Sequence, residues 1–434
     1  MRNNLMNSFL GLLFFVSSAH AGPTIEQWQT TNGARVFYVN APQLPIVDVR
    51  VVFDAGSARD GDKPGLAGLT SSLLDEGTGT LGPDQVAEQF EGVGAQYGAD
   101  SLRDMAVASV RSLTDKPILD KALNLFSDVV AKPGFPEKSY ERNRQAMLVG
   151  LQVESKQPNS IASKTFYKQV FQGHPYSIHG AGTEASLNAM TLQDVKDFHK
   201  RYYVASNAVI AIVGAVSRSE AETMANRVSR DLAKGERAVK LATVPALEKA
   251  VNKRIQHTSQ QTHILVGQPG MHRGDPDYVT LYVGNHILGG SGLVSRLSDH
   301  IREQRGLAYS AYSYFLPMRE DGPFIMGLQT KNDQADEALK ILNKVLNDYI
   351  TKGPTADELK RSKQNITGGF ALRIDSNKKI TEYVAMIGFY GLPLDYLDTF
   401  NSRVEAVTLS DIKDAFKRRV HPDRLVTVMV GNGK

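Results

Sequence analysis

Apolar and polar positions alternate most clearly in two early stretches, ARVFYVN (34–40) and IVDVRVVFDAG (46–56), and both predict β-strands. Near 65–76, 83–93, 114–131 and 137–155 the apolar positions recur at three- and four-residue intervals, the spacing that gives a helix one apolar face. Later, THILVGQPG (262–270), AYSAYSYFL (308–316) and PFIMGLQT (323–330) predict strands around a helix near 276–288.

The pattern then repeats. TLQDVKDFHKRYYVASNAVIAIVG (191–214) aligns without a gap on TLSDIKDAFKRRVHPDRLVTVMVG (408–431). Each copy reads as an amphipathic helix followed by a β-branched strand ending in glycine, and a tandem duplication accounts for both. Strands before helices, with hairpin-like alternations, predict an α+β fold of two homologous tandem domains, each a largely antiparallel sheet flanked by helices. The expected domains are 22–230 and 259–434, and the charged, aromatic-poor stretch 231–258 is the expected linker.

Composition narrows the class. Arg2, the apolar run LMNSFLGLLFFVSS and the small-residue AHA ending at Ala21 predict a signal peptide over 1–21, so export and a periplasmic location are expected. No later stretch offers the ~18 apolar residues that a spanning helix requires, so no membrane span is expected in the mature chain. The absence of cysteine removes disulfides, thiolate metal sites and cysteine nucleophiles. The formal charge of +4 is spread among acidic residues, so no nucleic-acid face is expected.

The chemistry centres on GLAGLTSSLLDEGTGT (65–80), a short amphipathic helix running into a glycine turn. It follows TNGARVFYV and FDAGSARDGDKP and precedes GHPYSIHGAGT, the duplicated strand and LGGSGLVSRLSDHIREQRGLAYSAYSYF. In this order the motifs resemble the inverted-motif zinc peptidases, the family that includes pitrilysin, insulin-degrading enzyme and the mitochondrial processing peptidase. The resemblance covers nearly all of the chain beyond residue 21.

Active members carry His-x-x-Glu-His on this helix. Positions i and i+4 share a face, so two imidazoles can hold one zinc while the glutamate reaches the metal-bound water as general base. The matching positions here are Gly68, Ser71 and Ser72, and the acidic pair expected on a later helix falls on Val149 and Gly150. None supplies an imidazole or a carboxylate, so no zinc is expected in this chain. Glu154, one turn further on, is expected to be a solvated helix residue.

The resemblance assigns a different role to the second half. The family's Arg-x6-Tyr pair matches Arg302 and Tyr309, behind a glycine-rich loop at Gly289, Gly290 and Gly292, which is expected to be a flexible turn. The pair is implied to grip a substrate carbonyl and stabilise its oxyanion. The implied protein is a non-catalytic, substrate-binding subunit of a periplasmic heteromeric zinc metallopeptidase. Its partner would be a homologous exported subunit carrying His-x-x-Glu-His and the zinc, the two enclosing a peptide substrate. The alternative is a structural or peptide-holding scaffold with no part in proteolysis.

Other motifs read as structure. HIREQ (300–304) imitates the inverted motif until Gln304 stands in place of the second histidine, so a surface helix is expected. His174 and His179 have the wrong spacing for one helical face and predict loop packing. No Gly-Lys-Ser/Thr follows the glycine cluster, and Leu293 breaks the Gly-x-Ser-x-Gly frame around Ser291, so neither a phosphate loop nor a serine hydrolase is expected.

Overall fold

The computed structural model describes residues 23–432, and the expected signal peptide lies outside them. The first half supplies strands β1 (Glu26–Gln29), β2 (Arg35–Asn40), β3 (Ile46–Phe53), β4 (Gln96–Ser101), β5 (Ala106–Leu113) and β6 (Ala208–Gly214). The second supplies β7 (Val251–Gln256), β8 (Gln261–Met271), β9 (Ala308–Phe315), β10 (Gly322–Lys331) and β11 (Val426–Gly431). They form two sheets ordered β1-β2-β6-β3-β5-β4 and β7-β11-β8-β10-β9. Set β1 aside and the two orders match strand for strand. Pairings are antiparallel except β2 with β6 and β7 with β11, so each sheet is mixed, with one parallel pair.

The stretch expected as a linker is partly sheet. β7 falls inside 231–258 and pairs in parallel with β11. Its composition hides it, because an edge strand exposes Asn252, Lys253 and Arg254 and keeps only Val251 and Ile255 half-buried. The preceding residues form a strap. Ala238 N donates to Asn207 Oδ1 (3.1 Å), Arg59 Nη1 to Val239 O (2.6 Å) and His174 Nε2 to Ala242 O (2.9 Å). Leu241, Val244 and Leu247 anchor it against the buried cluster around Phe166 and Tyr176.

Both repeat-end strands are continuous apolar runs because both of their faces are covered. On β6, Ala208, Ile210 and Ile212 pack into the first half's own core. Val209, Ala211 and Val213 face the other way, into a cluster with Val384, Ala385 and Ile387 of the helix Asn377–Tyr390, which comes from the second half. The reciprocal contact is made by the helix Pro158–Val170 of the first half. Its Ala162, Phe166 and Val170 pack on Val426, Val428 and Val430 of β11. Each half thus lends a helix to the other's sheet.

A buried carboxylate pins this exchange. Asp104, only 4% exposed, accepts from the hydroxyls of Tyr176 (2.6 Å) and Tyr390 (2.9 Å) and from Arg319 N (2.7 Å). The acceptor and Tyr176 belong to the first half, Tyr390 and Arg319 to the second. Burial leaves such groups costly unless paired, so the geometry at Asp104 fixes the relative position of the halves.

Two glycines should respond oppositely to alanine. At Gly388 an added Cβ would lie 2.5 Å from Phe37 Cε2 and 2.8 Å from Val209 Cγ1, so Gly388→Ala should cost about 1–3 kcal/mol in urea denaturation. At Gly150, inside a helix and with nothing within 4 Å, Gly150→Ala should stabilise by about 0.5–1 kcal/mol in the same assay.

Candidate functional site

The degenerate helix runs from Leu66 to Ser71 and continues as turns, shorter than the 65–76 expected. Gly65 enters it with φ +96°, a left-handed conformation that favours glycine. Asp60 caps it, accepting from Gly65 N (2.7 Å) and Ala67 N (2.8 Å). Burial pushes the Asp60 carboxyl up to about 7, against the pull of those two backbone bonds. Leu66, Leu69, Leu73 and Leu74 are buried and hold the segment in the core.

The helix Glu137–Glu154 packs beside it, so the frame for a two-helix metal site is assembled. The residues on that frame do not fit a zinc ion. Gly68 is half-buried, and a Cβ there would lie 3.4 Å from Gly180 O and 3.7 Å from Met147 Cε. Ser71 is buried against Tyr203, while Ser72 is exposed and its Oγ donates back to Leu69 O (2.9 Å). Val149 and Gly150 are both exposed. No imidazole or carboxylate stands at any of the five positions.

Glu154 departs from the expectation of a solvated residue. It is half-buried, and its Oε2 lies 2.6 Å from Lys164 Nζ on the adjoining helix. His179 sits near this pair with its pKa lowered, first by burial and then by Lys164. Lys164, His179, Leu148 and Leu151 line a cavity of about 520 Å³. His174 is held in loop packing, as its motif suggests: Tyr176 N donates to its Nδ1 at 3.1 Å.

Among the described residues, His272, Asp275 and Asp321 bring three possible metal-binding atoms within 4.8 Å of one another. Arg419 Nη2 already donates to both Asp275 oxygens, at 2.6 and 2.7 Å. The cluster is an ion-paired one, unlike a zinc centre.

Arg302 and Tyr309 do meet. Arg302 sits on a π-helical turn, Asp299–Glu303, and its guanidinium carbon lies 4.8 Å from the centre of the Tyr309 ring. Arg302 Nε is also 3.3 Å from Glu303 Oε1. Tyr309 is 83% exposed, on the edge strand β9 beside an irregularity in its pairing with β10. Below it, a cavity of about 450 Å³ is lined by Tyr167, Tyr309, Tyr312 and Tyr314, and by no lysine, arginine, aspartate or glutamate. Tyr312 and Tyr314 stack with centroids 5.9 Å apart, and Tyr312 covers Gly327, where a Cβ would come within 2.5 Å of its Cζ. This cavity shares no lining residue with the one beside His179.

The expected glycine-rich turn is mostly helical. Gly289 and Gly290 end a π-helical segment, His286–Gly290, and only Gly292, with φ +63°, makes a left-handed turn. Gly289 is needed for close approach, since its Cβ would lie 2.4 Å from Ser313 N. That contact seats β9 beside Asn285, whose side chain pairs with Ser313. His300 is on the surface as expected, its Nδ1 3.2 Å from Gln304 Oε1.

Comparison with known proteins places this geometry. Residues 35–184 match the insulinase (peptidase family M16) model, and residues 189–366 match that of the peptidase M16 inactive domain. A crystal structure of a peptidase M16 inactive domain from Pseudomonas fluorescens is 39% identical, with a TM-score of 0.92, covering 94% of this chain and 98% of that one. The non-peptidase homolog YmxG of Helicobacter pylori is 25% identical over 413 residues, 94% of each chain. An uncharacterized zinc protease of Rickettsia felis is 26% identical over 322 residues, 74% of this chain and 76% of its own.

The helix that packs against the degenerate segment supplies a pH test. His199 on Leu192–Tyr202 is buried, its Nε2 donates to Val130 O (2.9 Å), and burial pulls its pKa down to about 4. A folded-state value below the unfolded ~6.5 means that the folded chain binds fewer protons, so this contribution is complete above pH 6.5 and lost as pH falls through 4. Denaturation free energies measured across that window should decline, and His199→Gln should flatten the decline.

Proposed function

Because this chain belongs to the M16 (insulinase) family, with an inactive second domain, and carries no imidazole or carboxylate at the matched metal-site positions, we propose that it is a substrate-binding, non-catalytic subunit of a periplasmic heteromeric zinc metallopeptidase. One observation carries the reading: the frame of the metal site is kept without its ligands, while Arg302 and Tyr309 are assembled and open to a partner.

Arg302 is a permanent cation with a rigid fork of donors, and the Tyr309 hydroxyl can donate one directed bond. Together they would grip and orient a peptide carbonyl. The zinc of a homologous exported subunit, bearing His-x-x-Glu-His, would supply the activated water. The free edge of β9 could hold the peptide as an added strand, its side chains over the uncharged tyrosine cavity. The scaffold reading is favoured by one detail, that Glu303 and the Tyr309 ring already engage Arg302 within the chain.

Reconstitution separates the two readings. The purified chain should be inert alone and restore cleavage when mixed with a zinc-bearing homologue encoded beside it and recovered from the periplasm. In that complex Tyr309→Phe should lower kcat about 100-fold or more, the usual effect of removing one oxyanion donor. Unchanged turnover with normal assembly would favour the scaffold, and hydrolysis by the isolated chain with one bound zinc would overturn both.

A further inference from the structure

A cavity of about 700 Å³ lies where the strap crosses the junction of the two halves. Its walls include Arg35 of β2, Arg319 from the turn before β10, and Arg237 and Lys240 of the strap. The carboxylate facing Arg319 is shared: Asp54 lies 3.3 Å from Arg319 Nε and 2.7 Å from Arg59 Nε. Among the described residues, Arg35, Arg237 and Lys240 have no carboxylate within ion-pair distance. Arg35 Nη1 donates to a neutral acceptor, Gly388 O (2.8 Å), and its buried Nε finds no protein acceptor among the described residues. Arg237 Nε likewise donates only to a carbonyl, Ser206 O (3.1 Å).

Arg35 is half-buried, so the missing counter-charge costs most there, while Arg237 and Lys240 are exposed at the mouth of the cavity. Burial, with Arg237 and Arg319 as like-charged neighbours, pulls the Arg35 guanidinium down to about 10, so it remains a cation at neutral pH. The wall also carries Asp54, Glu320 and Asp321, but none of them lies within ion-pair distance of Arg35, Arg237 or Lys240 among the described residues. A single carboxylate ligand could offset one of the three uncompensated cations. A phosphate monoester carries about −1.5 to −2 and three strong acceptor oxygens, which suits converging guanidinium forks. The volume exceeds that of bare phosphate, and Glu320 and Asp321 offer acceptors for hydroxyl groups.

We propose that this cavity binds a phosphorylated, hydroxyl-bearing small molecule of the sugar-phosphate class, its phosphate held by Arg35, Arg237 and Lys240. The site is independent of the peptide-binding wall. It joins a strand of the first half, a turn of the second and the strap between them, so its ligand would clamp the junction and raise the thermal midpoint.

Calorimetric titration of the full chain with ribose 5-phosphate, inorganic phosphate and citrate tests this. Ribose 5-phosphate should bind saturably at one site, with a raised Tm and more tightly than inorganic phosphate. The double variant Arg237→Ala/Lys240→Ala, altering two exposed strap residues, should weaken binding about tenfold or more. Lys234→Ala, which removes a strap charge that does not line the cavity, should leave it unchanged. No saturable binding at millimolar ligand, equal binding of citrate, or undiminished binding by the double variant would each overturn the proposal.

Discussion

Neither sheet of this protein can bury both of its faces with residues from its own half. The inner face of β6 is covered by the helix Asn377–Tyr390, and that of β11 by the helix Pro158–Val170. Apolar burial of this kind is the main favourable term in folding, so the exchanged helices couple the two halves. Asp104 adds direction to that coupling. Three donors from three separate segments converge on it, and the two from the second half, Arg319 N and the Tyr390 hydroxyl, would lose this acceptor if the halves shifted.

This architecture separates packing from chemistry at the degenerate helix. Leu66, Leu69, Leu73 and Leu74 keep the segment in the core, and Asp60 caps its start, whether or not a metal is bound nearby. The apolar anchors are thus distinct from positions 68, 71 and 72, where imidazole and carboxylate groups are absent and the fold is kept. The second half shows the opposite case. There the Asn285–Ser313 pair and the close approach of Gly289 seat the strand that presents Tyr309.

Much of this was legible in the sequence, for identifiable reasons. The duplication was visible because β6 and β11, buried on both faces, have little freedom to diverge from an apolar run. The Arg302–Tyr309 pair was implied by the family resemblance alone; the structure adds that the two side chains touch. Two of the missed strands share a cause. β4 carries Gln96, Gly98, Asp100 and Ser101 on an exposed edge, and β7 carries Lys253 and Arg254. In both, the apolar alternation that marks a strand is absent because little is buried there. The exchange of helices was also out of reach: periodicity shows that Pro158–Val170 has an apolar face, but not which sheet receives it. The ion pair of Glu154 with Lys164 and the convergence of Arg35, Arg237 and Lys240 are likewise tertiary, joining residues far apart in sequence.

The reciprocal loan of helices bears on how such a chain could arise. One copy of the repeat, standing alone, would leave a row of valines on its terminal strand open to water. The unit that was duplicated would therefore have been soluble only as a two-fold symmetric pair of identical chains, swapping one segment each. Fusion of the two genes would then have made a permanent intramolecular version of an older homodimer, and freed each copy to specialise.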